Sequence, residues 1–201
     1  MSCSNAQPGS RWEVLLAIKK TIEARQQEYA DRESDRLADV YGELQDDTYD
    51  GTAAFLRIPD IQSIRLKMDS EDIFEPSNMP AIRIGMLGTT VPEDAQSTIG
   101  SQAFGESVFQ ISAYCSTRAE YAGTKYRLTE EELVLVTGAL GQAIINNLRD
   151  GGYASTWAGM AGIHTPRIES MAINGHKTDD QGNTTAAKVL LSLVVTHDMR
   201  Y

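Results

Sequence analysis

The run from Thr129 to Arg149 constrains the fold more than any other part of the chain. Thr129-Glu130-Glu131-Glu132 has the spacing of a capping box, in which a hydroxyl and a carboxylate three residues apart satisfy each other's backbone amides. Its three acids also suit the positive end of a helix dipole. Leu133, Val136, Leu140, Ile144 and Leu148 then recur every three or four residues, widened by Val134, Ala143 and Ile145. The spacing predicts a helix over 130–149 with one side buried, closed by Gly151 and Gly152 as a left-handed cap.

Ser10-Arg11-Trp12-Glu13 repeats the capping-box spacing, and Val14, Leu15, Ile18 and Ile22 form a second apolar stripe. This helix is expected to fade near Ala30, where apolar residues thin out and acids accumulate. Alternation marks the strands. Phe109, Ile111, Ala113 and Cys115 share one face of a strand over 106–117, and Ile82, Ile84 and Met86 one face of 81–87. Weaker patterns cover 61–68 and 163–173, the latter followed by a turn at Asn174-Gly175. The closing run 187–201 is apolar on both faces around Val189 to Val195, which predicts a central strand.

Helix, acidic segment, three strands, helix and two strands read as an α+β fold: a small antiparallel or mixed sheet flanked by two helices, with an acidic insertion after the first helix. With 201 residues, one domain is expected over 10–201, preceded by a flexible tail at 1–9 and carrying the insertion at about 31–60.

The net charge of −10 is unevenly spread. Residues 28–75 hold fourteen Asp or Glu against five Lys or Arg, a net of −9, which leaves −1 for the rest. Phosphate-gripping surfaces are basic, so tight DNA binding is not expected. No run approaches the roughly 18 apolar residues of a membrane span, and residues 1–10 lack the pattern of a secretory signal; a cytoplasmic, membrane-free protein is expected. Cys3 and Cys115 have neither disulfide nor metal-ligand spacing and read as free thiols.

Catalytic patterns fail on context. His164, His176 and His197 are scattered, and no phosphate-binding loop is present. Gly138 and Gly141 lie inside the second helix and read as a close helix contact. Asp179-Asp180-Gln181-Gly182-Asn183 lacks the closing glutamate of a calcium loop and reads as a solvated tip. Asp46, Asp47 and Asp50, with Glu43, crowd together without apolar neighbours to raise a pKa. They read as a solvated face, and with Tyr41, Tyr49 and Phe55 they are the candidate interaction residues, because aromatics in polar surroundings often become contacts in assemblies. No catalytic, metal or cofactor site is expected.

The layout resembles the tail-terminator (tail-completion, neck) proteins of long-tailed bacteriophages. The likeness rests on the first helix, on Met79-Pro80-Ala81-Ile82-Arg83-Ile84, on Phe109-Gln110-Ile111-Ser112-Ala113-Tyr114, on the helix 130–149 and on the strand 191–195, and covers 10–30 and 60–201. It implies a structural virion protein: a homohexameric ring assembled in the host cytoplasm that caps the tail tube and joins it to the head connector. The partners implied are a second copy of the chain, the tail-tube protein, a connector or stopper protein and a sheath, with genomic DNA passing through the lumen unbound. The acidic insertion is where this chain departs from the compact family layout. Three other readings are open: another connector protein such as a stopper or adaptor, or a tail-tube relative; a small acidic hydrolase; and a regulatory module for a basic partner.

Overall fold

The computed structural model describes residues 11–44, 56–66, 79–90, 103–151 and 167–199. In chain order these form α1 (Arg11–Leu44), β1 (Ser63–Leu66), β2 (Ala81–Thr90), β3 (Ala103–Ser116), β4 (Arg118–Tyr121), β5 (Thr124–Arg127), α2 (Glu130–Gly151), β6 (Arg167–Thr178) and β7 (Thr184–Met199). Five strands make one sheet in the order β1-β2-β3-β7-β6, and β4 and β5 pair separately. Only β1 runs parallel to its neighbour; the other pairings in the sheet are antiparallel. The class is α+β, with a mixed sheet.

Both helices cover the same sheet face, α1 over β1 and β2 and α2 over β7, β3 and β6, and they pack against each other. The alternating residues of three strands build that interface: Ile82 and Ile84 from β2, Phe109, Ile111, Ala113 and Cys115 from β3, and Val189, Leu191, Leu193 and Val195 from β7, all buried. The predicted stripe of α2 meets them, with Leu133, Val136, Leu140, Ile144 and Leu148 buried. On the helix-free face Met79, Tyr114 and Ala186 form a small second cluster. β7 lies inside the sheet between β3 and β6, as its two apolar faces predict.

The α2 capping box forms as expected: Thr129 N donates to Glu132 Oε2 at 2.7 Å, and Glu132 N to Thr129 Oγ1 at 3.2 Å. Ser10, and with it the first box, lies outside the described residues.

Three expectations are corrected. The first helix does not fade near Ala30 but continues to Leu44, so the acidic stretch from 31 to 44 is helix rather than insertion. Polar pairs at helical spacing lead into it, Arg25 with Glu28 (2.8 Å), Glu28 with Arg32, and Gln27 with Asp31 (3.0 Å), while Ala30, Ser34 and Leu37 prolong the side packed on the core. Past the undescribed residues 45–55, Leu56 and Ile58 are buried in the main core.

Asn174-Gly175 is not a turn; both residues pair inside β6, with Lys188 and Ala187 of β7. The real turn is the solvated tip at Asp179, whose Oδ1 accepts from the amides of Gln181 and Asn183, both at 2.9 Å, with Gly182 at φ 84°. Long-range pairing outweighs a local turn preference here.

Residues 118–127, for which the sequence reading names no element, form a hairpin of β4 and β5. Its two-residue turn, Ala122-Gly123, has φ of 49° and 79°, the doubly positive geometry that matches strand twist. Finally, Gly138 and Gly141 face the sheet rather than α1. A Cβ on Gly138 would lie 3.1 Å from Ile173 Cδ1, and one on Gly141 2.8 Å from Val189 Cγ2.

Candidate assembly edges

Of the residues expected to make contacts, Tyr41 falls in the last turn of α1, while Asp46, Asp47, Tyr49, Asp50 and Phe55 lie outside the described residues. The described chain draws attention elsewhere, to the two ends of the five-stranded sheet.

At one end β6 has, among the described residues, a strand on one side only. Its stretch Ser170-Met171-Ala172-Ile173-Asn174-Gly175 carries no charge, is exposed throughout and pairs regularly with β7. The register shifts immediately before Ser170 and after Gly175, so bulges confine the regular edge to these six residues. The charges stand outside it: Arg167 and Glu169, an exposed pair at 3.0 Å, on one side and Lys177 on the other. Met171 and Ile173 point to the helix side and are each 38% exposed, and Val134, one turn before Gly138 on α2, is 44% exposed. An edge strand usually carries charge or proline that deters pairing, and the middle of β6 has neither.

At the other end β1 has β2 on one side and no strand on the other among the described residues. Its Ile64 and Leu66 pair with Ile82 and Ile84 and so share the helix side; Leu66 is 38% exposed. The chain leading into β1 is firmly held. Ile58 N donates to Ser34 Oγ at 2.9 Å and Ile61 N to Gln27 Oε1 at 3.1 Å, which fasten it to α1. The hairpin grips its other side: Asp60 N donates to Glu120 O at 2.9 Å, Asp60 Oδ2 accepts from Ala122 N at 2.8 Å, and the Tyr126 hydroxyl donates to Arg57 O at 2.9 Å. Arg57 bonds Asp35 at 2.9 Å and lies over the Tyr121 ring, 5.3 Å from its centroid. Polar side chains on α1 and the β4–β5 hairpin therefore position this edge, a role their spacing in the sequence does not reveal.

Titratable groups are shifted by packing. Burial pushes the Cys115 thiol up to about 12. Burial likewise raises Tyr126, and burial followed by its bond to Asp150 raises Tyr29. The amide of Asn183 holds the exposed Asp179 carboxyl below its ordinary value. The rings of His176 and Tyr114 pack at a steep angle of 65°, their centroids 4.9 Å apart. Among the described residues no group of three or more His, Cys, Asp or Glu is placed to hold a metal, and no helix is long and apolar enough to cross a membrane.

No protein-family model matches the chain, and no curated protein matches its sequence.

Proposed function

We propose that this is a structural protein of a phage tail, of the terminator type, that works as a closed ring of copies, six by the resemblance. The observation that carries the reading is the sheet's pair of unlike open edges, the uncharged middle of β6 and the tethered β1. A ring needs two different patches on every protomer, joined head to tail, and opposite ends of one sheet supply them.

In this reading the ring caps the finished tail tube, offers its other rim to a connector or stopper protein, and contacts a sheath where there is one. An acidic composition such as that of Asp46, Asp47 and Asp50 suits a lumen through which DNA moves without sticking, since like charges repel. Location in the virion follows from the same reading. Negative-stain images of the purified full chain test it: six-fold rings with a central hole support it. A twelve-fold ring redirects the reading to a connector adaptor, and uniform compact particles count against both.

A further inference from the structure

The ring reading leaves open how neighbouring copies join, and strand directions supply an answer. We infer that the middle of β6 in one copy pairs antiparallel with β1 of the next, so that a single sheet continues around the ring; the inference rests on the ring reading. In the sheet β1 and β2 run one way, β3 the opposite way, β7 with β2, and β6 against β7. A second copy set beside β6, with its helices on the same side, therefore presents a β1 that runs opposite to β6. Antiparallel pairing needs that direction and no rearrangement.

Exposed large apolar side chains among the described residues stand on both sides of such a joint: Val134, Met171 and Ile173 on α2 and β6, and Leu16, Val40 and Leu66 on α1 and β1, with one more, Leu87, on β2. Charge is complementary between β6 and α1, while β1 itself carries the basic Arg65. β6 has a net charge of +1 from Arg167, Glu169 and Lys177, and residues 28–44 of α1, the helix over β1, have six acids against two bases. A second copy, rather than an unrelated chain, thus brings an open antiparallel edge, apolar side chains on the matching face and the opposite charge together.

The faces also select a register. Residues directly opposite across an antiparallel pair point to the same side. Met171 opposite Leu66 and Ile173 opposite Ile64 bring apolar side chains together on the helix side, and set Ala172 opposite Arg65 on the other. Both Ala172 and Arg65 are exposed.

Two substitutions in the full chain test the joint, in a Cys3→Ser background that leaves Cys115 buried. On mild oxidation, a mixture of Leu66→Cys and Met171→Cys chains should form disulfides between unlike chains, and the doubly substituted chain a ladder ending in a covalent ring. Self-linking of Met171→Cys alone would show a two-fold pairing of β6 and overturn the inference. So would the absence of any cross-link in a preparation whose mass is that of the ring. A preparation that stays monomeric at every concentration overturns the ring reading itself. The register has its own check: Ala172→Arg faces Arg65 and should weaken assembly by up to about five-fold per joint, whereas Ala172→Glu should not weaken it. Equal effects of the two would reject the register.

Discussion

The carboxamide of Asn147 donates to Gln26 Oε1 at 2.9 Å, and neither side chain reaches solvent. This is the middle of a polar seam between the helices. Tyr29 donates to Asp150 at 2.9 Å and Asn146 to Glu33 at 2.7 Å further along it. The seam is incompletely satisfied among the described residues, where Asn147 Oδ1 and Gln26 Nε2 have no hydrogen-bond partner. Truncating one member strands the other, so Asn147→Leu should destabilise the fold by about 1–3 kcal/mol. Replacing both with Leu removes the stranded groups and should recover most of that loss. Urea unfolding midpoints of the single and double variants check it.

The two helical glycines should respond in opposite directions to alanine. At Gly141 a methyl group would press on Val189 Cγ2, a β-branched side chain fixed in the core, and the overpacking should cost about 1–3 kcal/mol despite alanine's better helix propensity. At Gly138 the obstacle is the free end of Ile173, which is partly exposed and has room to move. Gly138→Ala should therefore be neutral or stabilise by up to about 1 kcal/mol. Thermal unfolding of both variants decides the matter.

Alkaline pH should unfold the protein, and Cys115 supplies part of the reason. Its thiol is raised from an ordinary value of 9.0 to about 12 when folded, so the unfolded chain releases this proton first. The native state then binds more protons than the unfolded one, and stability falls as pH rises between those values, by up to about 1.4 kcal/mol per pH unit for one group. Tyr126 and Tyr29, raised in the same direction, steepen the loss. Cys115→Ala should flatten the dependence of the urea midpoint on pH above 9.0 relative to the parent chain. An unchanged slope would mean that the thiol is not the source.

The acidic stretch carries a functional prediction. If Asp46, Asp47 and Asp50 line the path of DNA, reversing them to Lys should slow ejection from assembled particles, because the passing phosphates would then be held. Ejection rates that match the parent particles would remove these residues from the lumen.

What the sequence makes legible is what local physics decides. The α2 cap, the stripe from Leu133 to Leu148 and the alternation of Phe109, Ile111, Ala113 and Cys115 each announce their element and buried side, because one periodicity satisfies both the backbone and the core. The second half of α1 is harder to read. Its helix rests on ion pairs such as Glu28 with Arg32, and on Ser34, which serves a distant amide at Ile58; neither leaves an apolar rhythm. The hairpin 118–127 is hidden because its strands are short and polar, and because Ala122, the first residue of its turn, takes a positive φ that alanine does not advertise. The candidate edges were not legible at all. Alternation says that Met171 and Ile173 share a face, but only the strand order shows that their strand is last in the sheet.

Assembly into a ring is tested by the mass of the purified full chain, measured by light scattering over a wide concentration range. The expected species has six times the chain mass and gives way to smaller ones on dilution, more readily in Ala172→Arg than in the parent. A monomer at every concentration, unchanged by substitutions on β6, would contradict it.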